Sequence, residues 1–371
     1  MSATALVAQE ASLRDLLSRL EESSEAPLPL DTEADSFHHY FEKVCLLQLA
    51  SGGAAFVVDP LAGLDLAPLM SHIAKRTLLM HGSDYDLRLL HRGFGFRARE
   101  VFDTMIAAQL LGEKEIGLAA LLQKRAGVTL DKTLQRADWS ARPLGPDLLA
   151  YAASDVLHLP ELVASLTADL EARGRLAWHA EECARLAAAT FTAREDDPEN
   201  DWRLKGTNAF SSRERAFVRA LWEAREARSR ALDQPPFRVL TNDRLLHAAG
   251  LAAKGEADLG KLFPGRPLPP ALERTLKDAL EKARALPPEE WPGPRRGERV
   301  EPDPALEREI DTLKKKRDVR AKELALDPGI VASRAALTAA ARVSRTNGRI
   351  TPDTLVAEGG LSRWRAELLA T

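Results

Sequence analysis

Residues 28–58, LPLDTEADSFHHYFEKVCLLQLASGGAAFVV, decide the fold of the first part of the chain. Pro29 lacks an amide donor, so the first strand is expected to start at an edge, at a bulge or outside the pairing. The turn signal Ser51-Gly52-Gly53 predicts a hairpin, which makes the two strands around it antiparallel. Three apolar runs have the length and composition of strands: Leu28–Leu30, Val44–Leu49 and Ala54–Val58.

The sequence around this stretch alternates strand and helix patterns. Leu78–Met80 is a fourth predicted strand, and HGSDYDLRLLHRGF after it predicts a helix that Gly93 ends. The first 20 residues predict an amphipathic helix, with leucines at 6, 13, 16, 17 and 20. The mixture indicates an α/β domain that ends near residue 190. Four further helices are predicted: Thr104–Leu111, Leu118–Ala126, Pro146–Leu166 and Leu176–Ala189.

Two polar, proline-containing stretches divide the rest of the chain. We interpret residues 193–206 and the proline-rich residues 287–304 as linkers, because proline bars a continuous helix. The predicted domains are therefore residues 1–192, 207–286 and 305–371. The last two are all-helical in pattern and resemble each other, since each has a basic helix, a break with Asp and Pro, and a leucine-rich helix.

The charge distribution and the composition limit the functions that the protein can have. Residues 1–200 contain 19 Lys and Arg against 30 Asp and Glu, a net charge of −11, whereas residues 201–371 contain 33 against 25, a net +8. This asymmetry favours metal-centred chemistry in the first half and a polyanionic partner for the second, although solvated surfaces explain it equally well. Two cysteines are too few for a disulfide framework, and no apolar run reaches about 18 residues. A cytoplasmic protein without a membrane partner is expected.

Carboxylate side chains occur at three places in the sequence, and their spacing suggests that they meet in one site. Asp31 and Glu33 are two residues apart in a strand, so they face the same side. Asp84 and Asp86 begin a helix, and either could join the first pair or merely cap the helix. Tyr151 and Asp155 are four residues apart, so on a helix they share a face. Clustered carboxylates repel unless cations neutralise them, and carboxylate oxygens favour Mg²⁺ or Mn²⁺.

The ordered set of these motifs resembles ribonuclease D, a member of the DEDDy group of 3′-to-5′ exonucleases. The resemblance is carried by DTEADSF (31–37), KVCLLQL (43–49), HGSDYDLRLL (81–90), FDTMIAAQLLG (102–112) and YAASDVLHL (151–159). It also runs through GLAALLQKRAGVTLDKTLQRADWSARPL (117–144) and into the helical modules, which look like HRDC domains.

The resemblance implies a ribonuclease-H-like exonuclease domain, a mixed sheet flanked by helices, followed by two all-α helical-bundle HRDC-like domains. It assigns Asp86 rather than Asp84 to the site. The implied metal ligands are Asp31, Glu33, Asp86 and Asp155, which hold two divalent ions, Mg²⁺ or Mn²⁺, while Tyr151 positions the attacking water. Phe37 and His81 are candidate substrate contacts; stacking on a terminal base would suit Phe37, although a place in the core suits it equally.

The implied activity is release of 5′-mononucleotides from the 3′ ends of RNA, with tRNA precursors as the expected substrates of a monomeric enzyme. Two alternatives stay open. Related domains act on DNA, so a DNA-directed exonuclease is one. The other is a non-catalytic RNA-binding or scaffold protein, which would need broken carboxylates that this sequence does not have.

Overall fold

A computed structural model describes residues 4–189, 197–294, 303–348 and 350–370. The chain divides into two compact units. The first unit contains residues 4–34, 44–189 and 303–370, and the second unit contains residues 35–43 and 197–294. The grouping by contacts joins the last helical segment to the first domain. The predicted boundary at 192–193 and residues 295–302 of the proline-rich linker lie outside the described residues, and the domain boundaries remain a prediction.

A six-stranded mixed sheet forms the centre of the first unit, in the order β1-β4-β3-β2-β5-β6. β3 pairs antiparallel with both β2 and β4, whereas β1–β4, β2–β5 and β5–β6 are parallel pairs. The strands are β1 Thr4–Val7, β2 Leu28–Ala34, β3 Val44–Ser51, β4 Ala54–Val58, β5 Thr77–Met80 and β6 Glu100–Asp103.

The predicted hairpin between β3 and β4 is confirmed. Ser51 pairs with Ala54, which leaves Gly52 and Gly53 as a two-residue turn. Both glycines have positive φ, 59° and 75°, as a type I′ turn requires. β2 is an interior strand, and Pro29 lies opposite Leu79 of β5, one residue before pairing with β3 begins at Leu30.

Helices cover the sheet, so the predicted α/β class with a mixed sheet flanked by helices is confirmed. Leu13, Leu16 and Leu20 of the first helix are buried in the same core as β2 and β3. The helices are α1 Glu10–Glu22, α2 Ala67–Ile73, α3 Asp84–Phe94, α4 Thr104–Leu110, α5 Leu118–Ala126, α6 Pro146–Leu157, α7 Leu159–Ala172 and α8 Leu176–Ala187.

Three predictions of local structure need correction. The first residues do not all belong to a helix, because Leu6 lies in β1, which pairs with β4. The predicted helix Pro146–Leu166 is two helices that meet at His158, because Pro160 cannot continue a helix from the preceding turn. The helix of residues 84–94 ends one residue after Gly93, and Gly95 caps it with φ 64°.

The helical part of the second unit follows the predicted pattern. Ser211 caps α9 in a reciprocal capping box with Glu214. Trp202, Phe217 and the apolar faces of the helices form its own core. The helices are α9 Ser212–Leu232, α10 Pro236–Val239, α11 Asn242–Ala253, α12 Leu259–Leu262 and α13 Pro270–Ala285.

The last segment repeats the order of the second unit's first helices. α9 and α14 both have 21 residues and end in a left-handed residue, Asp233 (φ 47°) and Ala325 (φ 52°). A four-residue helix that begins with proline follows in each case. This correspondence supports the interpretation as two copies of one module. The helices are α14 Pro304–Leu324, α15 Pro328–Val331, α16 Arg334–Asn347, α17 Pro352–Ala357 and α18 Arg363–Ala370.

The last segment packs on α8 through an aromatic stack and hydrogen bonds to Glu182. The rings of Trp178 and Trp364 stack with centroids 4.7 Å apart. The Trp364 Nε1–H donates to Glu182 at 2.7 Å, and the Arg365 guanidinium donates to the same carboxylate at 2.7 Å. This contact explains why the last segment groups with the sheet. None of the helices in the described ranges combines the length and apolar character that crossing a bilayer requires.

Candidate active site

Two acidic side chains of the interior strand β2 face one side of the sheet. Asp31 and Glu33 are two residues apart in an extended chain, and their register partners on β3 are Gln48 and Leu46. The carboxylate oxygens of Asp31, Glu33 and Asp155 lie within 4.8 Å of one another. The predicted convergence of these three groups is therefore present in the structure.

Asp86 joins them from the first turn of α3. Its side chain is 8% exposed and accepts a hydrogen bond from the Thr32 hydroxyl, between the two acidic residues of β2. Asp84 instead forms an exposed ion pair with Arg88, with an N–O distance of 3.0 Å. Of the two carboxylates that the helix pattern left as alternatives, the structure brings Asp86 to the cluster.

Helix α6 carries the remaining two predicted groups. Tyr151 and Asp155 are one turn apart on this helix, which packs against β2, β3 and β4. The ring of Tyr151 lies beside Trp139, with centroids 5.7 Å apart, and Trp139 is buried with Leu46 and Val57 under the helix. This packing holds the helix so that Asp155 meets the β2 carboxylates.

When no cation is bound, the environment of the cluster shifts its carboxyl groups toward the protonated form. Burial, followed by repulsion from Asp155, raises the pKa of Asp31 to about 7. Burial and repulsion from Asp31, Asp155 and Asp86, in that order, raise the pKa of Glu33 to about 9. Burial raises the pKa of Asp155 to about 7 and, with Asp31, raises that of Asp86 as well. Four carboxyl groups this close need positive charge in order to ionise together at neutral pH.

The Tyr151 phenol is affected in the same direction. Burial, followed by the negative charges of Asp155, Glu33 and Asp31, raises its pKa above the ordinary value of 10.0. At neutral pH the phenol therefore keeps its proton. It is available as a hydrogen-bond donor and as a neutral positioning group beside the carboxylates.

Four of these groups, Asp31, Glu33, Tyr151 and Asp155, line a cleft of about 330 Å³. Its far wall is the start of α5, residues 117–119, and the loop that follows this helix. Lys132 and Gln135 of that loop also line the cleft, and no motif in the sequence marks them as site residues. They lie inside the quoted segment 117–144, but no spacing rule separates them from its other polar residues.

The two candidate substrate contacts lie in different units. His81 lines the cleft, its Nδ1 lies 2.9 Å from the Thr104 hydroxyl, and burial lowers its pKa, which keeps the ring neutral. Phe37 belongs to the second unit, where its ring is 45% exposed and meets Phe237 edge-on at 6.4 Å. A contact of either residue with substrate stays a prediction.

Comparison with known proteins agrees with this geometry. Residues 4–171 match the family model described as 3′-5′ exonuclease, which defines the class of the fold and site. A ribonuclease D of Acidiphilium cryptum is 32% identical over 296 residues, which cover 76% of this chain and 74% of the relative. This chain belongs to the ribonuclease D family.

Two solved structures extend the likeness over the whole chain. A protein from Bifidobacterium adolescentis aligns with a TM-score of 0.81 and 26% identity, covering 100% of this chain and 98% of that one. Escherichia coli RNase D, an exoribonuclease involved in structured RNA processing, aligns with a TM-score of 0.69 and 25% identity, covering 100% and 97%. The predicted ribonuclease-H-like exonuclease fold, the helical HRDC-like region and the hydrolytic exonuclease class are confirmed.

Proposed function

We propose that this protein is a 3′-to-5′ exoribonuclease that releases 5′-mononucleotides by two-metal-ion hydrolysis of the terminal phosphodiester. The observation that carries the proposal is the convergence of Asp31, Glu33 and Asp155, with Asp86 beside them, from three separate elements. All four carboxylates of the family's motif are present in this chain, so the non-catalytic scaffold protein is the weaker alternative.

The donor set fits hard divalent cations. Every candidate ligand atom is a carboxylate oxygen, and three of them lie close enough to share an ion. Oxygen donors favour Mg²⁺ and Mn²⁺ over zinc, which prefers nitrogen and sulfur. We propose Asp31, Glu33, Asp86 and Asp155 as the ligands of two such ions. When bound, the ions neutralise the cluster and supply Lewis acidity for the attacking and leaving oxygens.

Tyr151 has the role of orienting the attacking water. Its raised pKa keeps the hydroxyl protonated, so the phenol acts through hydrogen bonding and position rather than as an anionic base. Asp155 lies one helical turn away, which places the orienting group and a metal ligand on the same rigid helix. His81 and Phe37 are proposed to contact the terminal nucleotides.

The substrate we propose is the 3′ end of structured RNA, tRNA precursors above all. The likeness to E. coli RNase D over the full chain supports an RNA substrate. The net charge of +8 in residues 201–371 suits a phosphate backbone. DNA remains the second candidate, since the cleft acts on a phosphodiester that both polymers share.

The test is nucleotide release from a 5′-labelled tRNA precursor with a 3′ extension, incubated with the full chain and Mn²⁺ or Mg²⁺. We expect a ladder of products shortened one residue at a time, together with free 5′-mononucleotides. Asp155→Ala should abolish release because it removes a metal ligand, and it should leave the fold intact. Asp84→Asn is the matched control, since Asp84 is an exposed acid in the same motif as Asp86.

The arms of this experiment separate the alternatives. Faster release from the DNA version of the same 3′ tail would favour the DNA-directed exonuclease. Binding without any release would favour the scaffold protein, and undiminished activity of Asp155→Ala would contradict the assigned site. We further propose that the enzyme acts in the cytoplasm as a monomer. Light scattering of the full chain tests the monomeric state directly.

A further inference from the structure

We propose that Asp103, the last residue of β6, is a positioning residue that holds Asp86 in the acidic cluster. The inference rests on the proposed function, because Asp86 is one of the proposed metal ligands. Asp103 is 1% exposed, and its backbone lies opposite Met80, the last residue of β5. It therefore faces the turn that connects β5 to α3, the helix that carries Asp86.

The Asp103 carboxylate accepts five hydrogen bonds. Its Oδ1 accepts the backbone N–H groups of Gly82 at 3.1 Å, Met105 at 2.8 Å and Ile106 at 3.2 Å. Its Oδ2 accepts the backbone N–H and the hydroxyl of Ser83, both at 2.8 Å. Two of the five bonds cap α4, as any N-cap aspartate does. The other three are directed to the turn before α3, which ordinary capping does not explain.

This turn sets the position of Asp86. Ser83 is the N-cap residue of α3, and Asp86 is the third residue of that helix. Ser83 is fully buried, and its hydroxyl donates to Asp103 instead of capping its own helix. Gly82 before it has a φ of 66°, and glycine populates positive and negative φ about equally well, so its own preference does not fix the turn. The hydrogen bonds that Asp103 accepts therefore select one conformation of a turn that glycine would otherwise leave flexible.

Thr104, the residue after Asp103, contacts the other end of the same turn. The Thr104 hydroxyl donates to the carbonyl oxygen of Met80 at 3.1 Å and contacts His81 Nδ1 at 2.9 Å. Residues 80–83 are thus fixed at both ends by the junction of β6 and α4. This matters because Asp86 lies in the first turn of α3, so the conformation of residues 80–83 sets where its carboxylate lies relative to β2.

The experiment compares Asp103→Asn with wild type in the full chain, with Mn²⁺ as the probe. Asparagine keeps one acceptor but turns an NH₂ group toward N–H donors, which loosens the turn. We expect the Mn²⁺ concentration for half-maximal binding, followed by electron paramagnetic resonance, to rise about 10- to 100-fold, the usual cost of losing a partner that orients a ligand. The half-maximal Mn²⁺ concentration for nucleotide release should rise in parallel, with the KM for RNA unchanged.

Two further variants make the result decisive. Asp303→Asn is the capping control, because Asp303 accepts the N–H groups of Ala305 and Leu306 at 3.0 Å each at the start of α14. It should lower the melting temperature without moving the Mn²⁺ midpoint. Ser83→Ala removes one of the five bonds and should raise the midpoint about two- to tenfold; it decides the question if Asp103→Asn fails to fold.

Two results of this experiment would overturn the inference. A lower melting temperature of Asp103→Asn with the wild-type Mn²⁺ midpoint would show a capping role alone and overturn the inference, as would a wild-type midpoint for Ser83→Ala. If wild type binds Mn²⁺ but releases no nucleotides, the proposed function fails while the binding midpoints still judge Asp103.

Discussion

Replacing Asp31 with asparagine should stabilise the metal-free protein and weaken its stabilisation by Mn²⁺. The Asp31 carboxylate lies among other carboxylates, and burial together with Asp155 raises its pKa from 3.8 to about 7. Without a cation, folding at neutral pH must either bury this charge or bind a proton, and both cost free energy. Asparagine has nearly the same shape and no charge, so it removes this cost. With Mn²⁺ present, the same change removes a proposed ligand.

The direction and size of the effect follow from proton linkage. The folded state holds this proton more tightly than the unfolded chain, so the stabilisation is full below pH 3.8 and is lost as the pH rises to about 7. One pKa unit corresponds to about 1.4 kcal/mol, so the shift corresponds to about 4 kcal/mol for an isolated group. Because the Asp31 side chain is only partly buried, we expect Asp31→Asn to gain less than this, about 2–4 kcal/mol at pH 8.

The assay is thermal and denaturant unfolding of both proteins at pH 5 and pH 8, in chelator and in Mn²⁺. In chelator, the stability difference between Asp31→Asn and wild type should widen from pH 5 to pH 8. Mn²⁺ at 100 times its dissociation constant should stabilise wild type by about 2.7 kcal/mol, and the variant by much less. Asp84→Asn is the control, because it removes an exposed charge outside the cluster.

Two results would refute this reasoning. One is equal stability of Asp31→Asn and wild type in chelator at pH 8, which would mean that the Asp31 charge costs nothing. The other is equal stabilisation of the two proteins by Mn²⁺, which would remove Asp31 from the ligand set.

Further predictions concern α6 and the end of the chain. Tyr151→Phe should slow single-turnover cleavage about 100-fold or more while leaving the dissociation constant for RNA unchanged; a loss of binding with normal cleavage would contradict the orienting role. Trp364→Ala should lower the free energy of unfolding by about 3–5 kcal/mol in urea titrations, because it empties the stack on Trp178 and removes one of the hydrogen bonds that Glu182 accepts. Unchanged stability would show that the last segment is not anchored there.

The local part of the site could be predicted from spacing. The period of two in a strand places Asp31 and Glu33 on one side, and the helical period places Tyr151 and Asp155 on one face. Spacing could not choose between Asp84 and Asp86, because both lie in the first turn of the same helix. Burial decides, and burial depends on β2, a strand some 50 residues earlier in the chain.

The errors of the fold prediction have physical causes. Residues 4–7 form a strand only because β4 pairs with them, and a leucine at position 6 fits a helical pattern as well. Pro160, by contrast, is a local signal that could have divided the predicted helix 146–166. The stack of Trp178 on Trp364 joins residues 186 positions apart, and no local periodicity encodes such a contact.

That stack bears on how the protein is made. Because α8 is covered by residues near position 364, the first unit cannot complete its packing until those residues have left the ribosome. The sheet and the acidic cluster emerge far earlier. During synthesis the face of α8 around Trp178 is therefore exposed. A protease added to nascent chains should cleave near Trp178 until α18 has been made.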